Sequence, residues 1–141
     1  MPPEDLFVGR FVTEFHRFLA YFIPSGFLLL ALWALGVVIT NRGPGSWFWR
    51  VLAVLQVIVG VQVMAGLILL VSGEWPTNWR HFVYGAAMPL LLLIAAHRLG
   101  SGRSIAGFGG GRFQDIPWAI FGIASFIAAA ATFMAYITGP S

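Results

Sequence analysis

Cysteine is absent from the 141 residues, which removes disulfides, iron–sulfur clusters, thiolate zinc sites and cysteine nucleophiles at once. Lysine is absent too: all eight basic side chains are arginines, set against five acids for a net charge of +3. Charged residues make up only 9% of the chain, against 59% hydrophobic. A soluble domain carries about 25% charge, so this composition excludes an ordinary water-facing surface. A mean hydropathy of +0.85 belongs to a chain with several bilayer spans. The arginines sit in loops beside apolar runs, a distribution that membrane topology explains and nucleic-acid binding does not. Gly109, Gly110, Gly111 and Arg112 lack the GxxxxGK[ST] spacing and strand–helix context of a phosphate loop, so no nucleotide site is expected.

What is present is apolar and helical in length. A helical crossing takes roughly 20 residues, and four crossings with short loops use up the chain. The reading is an all-α integral membrane protein, one four-transmembrane-helix up-down bundle over residues 1–141. Its spans cover about 18–40, 48–72, 79–99 and 116–138, after an interfacial lead-in over 1–17. Span one ends at Asn41-Arg42-Gly43-Pro44-Gly45; span two comes after the aromatic, basic belt Trp47-Phe48-Trp49-Arg50. Span three is bracketed by Trp79-Arg80-His81 and His97-Arg98, and span four opens with Asp115 as expected N-cap and Pro117 in the first turn. Pro24 and Pro89 are expected to bend spans one and three and leave room between them. Arg42, Arg50, Arg98, Arg103 and Arg112 flank the 1–2 and 3–4 loops, against Arg10, Arg17 and Arg80 on the other side. This asymmetry puts those loops in the cytoplasm and both N- and C-termini outside, in a bacterial plasma (inner) membrane. The acidic start Met1-Pro2-Pro3-Glu4-Asp5 lacks a basic n-region, so no signal cleavage is expected.

Few side chains here can do chemistry, and the three histidines carry most of the argument. His16 opens span one and His81 opens span three, both at the end of the bundle that holds the termini. In an up-down bundle those spans are parallel and diagonally opposed, so the imidazoles share a depth. That arrangement suits a b-type haem, whose iron takes one imidazole from each side. Arg17 and Arg80 stand beside the histidines and could hold propionates; Gly85, one turn after His81, would let a flat macrocycle reach the backbone. The same residues are also what a headgroup boundary carries without any ligand. His97 lies sixteen residues beyond His81, a rise of about 24 Å, and cannot share that site. Gln56 and Gln62 in span two should face the bundle, an interhelical hydrogen bond being their expected role. Gly60 is read as a point of close helix approach, Met64 as packing and Trp75 and Trp79 as interfacial anchors.

The segment Glu14-Phe15-His16-Arg17-Phe18-Leu19-Ala20 resembles the histidine-bearing helix start of the haem A synthase family. The run Arg50-Val51-Leu52-Ala53-Val54-Leu55-Gln56-Val57-Ile58-Val59-Gly60, then Gly66-Leu67, then His81, is similar to the next two helices in one half of that family. The likeness covers residues 13–98, three of the four helices. It implies that His16 and His81 are axial ligands of haem iron near the outer face. Thr13 stands where the family has its Glu, and Glu14, two residues from His16, turns to another face of the helix. The family joins two such bundles in one chain, where this chain has one; a homodimer would restore the pair.

Two functions are consistent with these residues. One is a haem-binding membrane cytochrome or haem A synthase-like half bundle, engaged in electron transfer or haem modification. The alternative is a ligand-free accessory subunit packing on a larger respiratory or photosynthetic membrane complex. The spans contain no Asp, Glu, Lys or Arg at mid-depth and no paired inverted repeats, which argues against a transporter or channel.

Overall fold

The computed structural model describes residues 3–40, 42–101 and 115–139, with side chains from Gly9 onward. Four helices account for nearly all of them: α1 (Pro3–Thr40), α2 (Gly45–Val71), α3 (Arg80–Gly100) and α4 (Pro117–Ile137). Among the described residues there is no strand. All four helices are long and apolar enough to cross a membrane. Arg103 and Arg112, and the glycine run before Arg112, lie outside the described residues.

The lead-in and span one form one unbroken helix. Nothing between Arg10 and Ile23 stops a helix, and Pro24 is the first proline inside it. Pro24 removes a backbone donor, and the next hydroxyl, Ser25 Oγ, donates to the Tyr21 carbonyl at 3.1 Å. Helix α2 ends in a Schellman motif: Gly73 N–H reaches the Leu70 carbonyl at 3.1 Å and Glu74 N–H the Leu69 carbonyl at 2.9 Å. That geometry needs a left-handed residue, and Gly73 supplies it at φ 90°.

Two local features differ from or refine the sequence reading. The N-cap of α4 is Ile116, with no side-chain cap bond, and not Asp115. Pro117 takes the first helical position, so the cap falls on the residue before it and leaves Asp115 one place too early. In α3, Val83–Ala87 is a π-helical turn, with Met88 N–H bonding the Val83 carbonyl five residues back. Pro89 has no N–H for the preceding turn, and the wider turn just before it absorbs the mismatch.

Packing makes α4 the central helix. Within their most apolar windows, 44% of α4 is buried in the bundle against 11% of α3. Its buried residues are mostly small: Gly122, Ser125, Ala128, Ala129, Ala131, Thr132 and Ala135. A Cβ on Gly122 would overlap the Ala34 side chain, so the two backbones approach as small-residue membrane interfaces do. The facing stripe of α1 is Leu19, Ile23, Phe27, Leu30, Ala34 and Val37, spaced by threes and fours. Helix α1 packs on α4 and α2, and α4 on α3, giving the order α2–α1–α4–α3. Helices α2 and α3 stand farther apart than the other neighbours, with Leu52 of α2 and Pro89, Leu92 and Leu93 of α3 lining one small cavity. At the loop end, Trp33, Phe48, Trp49 and Phe121 meet edge to face with centroids 5.2–6.0 Å apart, each contact adding to the burial of Phe48 and Phe121.

Candidate functional site

At the opposite end, where the first described side chains and Gly139 lie, two imidazoles from diagonal helices meet. The His16 and His81 ring centroids are 6.1 Å apart with planes inclined by 53°. Each ring is positioned by its own surroundings.

Asn78 starts the helix that carries His81: its Oδ1 accepts from Arg80 N–H at 3.0 Å, and its carbonyl accepts from His81 N–H at 3.0 Å. The His81 Nδ1 atom lies 3.0 Å from the carbonyl of Ala135. A carbonyl only accepts, so Nδ1 carries the hydrogen, and in the neutral ring the lone pair is left on Nε2. Ala135 is available for this because α4 ends at Ile137, and carbonyls of a last turn lack their own helical donors. A Cβ on Gly139 would stand 3.5 Å from His81 Cε1 and Nδ1, so the chain just past α4 lies against the same edge of the ring.

His16 is held from α2. Gln62 Nε2 donates to the His16 carbonyl at 3.0 Å and lies 3.5 Å from His16 Nε2. One turn on, Gly66 gives the ring its room: a Cβ there would be 3.3 Å from His16 Cε1, closer than ordinary carbon contact. His16 Nδ1 and Gln62 Oε1 are both buried with no hydrogen-bond partner, as is Gln56 Nε2 farther along α2. Such atoms are costly in an apolar interior.

The remaining expected residues fall around this pair. Arg17 is exposed and 4.0 Å from Glu14 in a rim ion pair, so Glu14 stands away from the imidazoles. Arg80 is exposed beside His81. Gly85 faces α4, where a Cβ would meet the Ala135 side chain at 3.4 Å; its small size brings α3 close to α4. His97 lies at the other end, its Nδ1 2.8 Å from the Leu93 carbonyl and its ring edge-on to Phe121 at 5.0 Å.

No protein-family model, curated protein or solved structure matches the chain. The chemistry of the site therefore rests on its donors. Among the described residues no three His, Cys, Asp or Glu side chains gather as a metal cluster. A bare transition metal takes three or four protein ligands, whereas haem iron brings four nitrogens of its own and needs only the axial pair. The two rings stand 6.1 Å apart, and the unmatched His16 Nδ1 and Gln62 Oε1 mark this as the polar spot in an apolar end.

Gln62, Gly66, Ala135 and Gly139 were not singled out as site residues by sequence. Gln62 carried a usable signal, a polar side chain inside an apolar run. A backbone carbonyl such as that of Ala135 carries none.

Proposed function

We propose that this protein is a haem-binding membrane protein in which His16 and His81 supply the two axial imidazoles. The observation that supports it above all is their convergence at 6.1 Å from helices that share no packed interface. Ala135 sets the His81 tautomer, a backbone bond of the kind that orients metal-ligating histidines. Gln62 and Gly66 seat His16. Arg17 and Arg80 at the rim are the cations available to propionates. When bound, haem supplies one-electron chemistry; the chain holds it, orients its ligands and excludes water with the apolar residues beneath. The likeness of residues 13–98 to one half of the haem A synthase family points the same way. From the arginine distribution we infer that both termini lie outside, in a bacterial inner membrane.

The test is the visible spectrum of detergent-purified protein, oxidised and dithionite-reduced. A Soret band with split α and β bands on reduction, shifted or lost in His16→Ala and in His81→Ala, is the expected result. A protein that stays colourless after reconstitution with haem would overturn the proposal and leave a ligand-free subunit as the better reading.

A further inference from the structure

A second feature lies on a different flank of the α1–α4 pair. Tyr21 is five residues after His16, a rotation of about 140°, and its hydroxyl is hydrogen-bonded to that of Tyr136. The two phenol rings are 4.4 Å apart. Below them a groove of about 360 Å³ runs between the helices, bounded by Pro24, Leu28, Ala130 and Phe133. That volume is in the range of small-molecule sites. Leu28 and Phe133 are exposed on its sides, so in a bilayer the groove opens to lipid chains.

The polar end of the groove is built of donors. The Tyr21 and Tyr136 hydroxyls are hydrogen-bonded to each other, so the pair keeps one O–H to donate outward from whichever ring accepts. Arg17 lies one turn before Tyr21 on the same helical face. Among the described residues it pairs with Glu14, 4.0 Å away in an exposed pair, which holds weakly and exchanges readily. A guanidinium and a phenol O–H above an apolar channel match a ligand with anionic, multi-acceptor oxygens and a hydrocarbon tail.

We propose that the α1–α4 groove is a binding site for an anionic phospholipid, its phosphate on Arg17 and the Tyr21–Tyr136 pair and one acyl chain along Leu28, Ala130 and Phe133. Arg17 is shared with the proposed propionate contacts, whereas the groove is separate, so lipid retention and the haem spectrum are read independently. Native mass spectrometry of the purified protein with dioleoylphosphatidylglycerol or dioleoylphosphatidylcholine tests it. Both lipids offer the phosphate, but the choline cation is repelled by Arg17, so the glycerol lipid should be retained roughly fivefold better. Arg17→Gln should remove that preference while still retaining a lipid, and Ala130→Phe, which fills the groove, should release both. Equal retention of the two lipids by the unaltered protein would overturn the proposal. So would an Ala130→Phe variant of unchanged helicity that keeps the glycerol lipid, and so would an Arg17→Gln variant that keeps the preference.

Discussion

Replacing Gln62 by Leu separates two opposing effects at the histidine pair. The substitution removes the 3.0 Å bond from Gln62 Nε2 to the His16 carbonyl, which in a membrane bundle is worth about 0.6 kcal/mol and at most about 1.7. The 3.5 Å approach to His16 Nε2 is too long to add much. It also removes Gln62 Oε1, a buried acceptor with no partner, and relieving such an atom returns about 1–3 kcal/mol. The balance favours the variant: without haem, Gln62→Leu should be as stable as the unaltered chain or more stable by about 1 kcal/mol. Reversible unfolding in mixed detergent micelles, followed by far-ultraviolet circular dichroism, measures this. Phe27→Ala serves as the scale, since Phe27 is 1% exposed and its loss should cost about 3–5 kcal/mol. The haem-loaded protein should respond in the other direction, with His16 less firmly seated and haem released faster. A loss of about 2 kcal/mol or more in the haem-free variant would refute the reasoning, because Oε1 would then have to be engaged.

Named contacts give further expectations. Gly122→Val drives a branched side chain into Ala34 and should destabilise the α1–α4 pair by at least about 1–3 kcal/mol, seen as lost monodispersity and earlier unfolding. Gly85→Leu should push α3 off Ala135 and broaden or abolish the haem spectrum, while Gly60→Leu, with open space around it, should leave the spectrum alone. His97→Ala should not change the spectrum, because about 24 Å of helix separates it from His81. The absence of cysteine makes single thiols a clean probe of topology: an impermeant maleimide should label Thr77→Cys in intact cells and Ser46→Cys only after lysis. The reverse pattern would invert the orientation.

Helix number was legible because it depends on local chemistry; the start of α1 was not, since the lead-in continues into span one as a single helix. Apolar runs of spanning length between Gly, Pro, Trp and Arg define the four helices whatever they pack against. The same reasoning put His16 and His81 at one end and His97 at the other, since an antiparallel path leaves little choice. The cap of α4 was misplaced by one residue because a proline's preference for the first helical position outweighed the capping tendency of Asp115.

What only the tertiary structure decided is which faces meet. Every helix here is apolar nearly all round, so periodicity does not tell a lipid-facing side from a buried one. Close approach does, and it depends on small residues meeting small residues, as Gly122 meets Ala34 and Gly85 meets Ala135. Those contacts made α4 central, left α2 and α3 apart, and turned Gly85 to the interface while Gly66 received the His16 ring. They also carried the Ala135 carbonyl to His81 Nδ1, a partner with no side-chain signature. Composition determined that this chain forms four helices long and apolar enough to cross a membrane; the packing of its smallest residues determined that two of its histidines stand ring to ring.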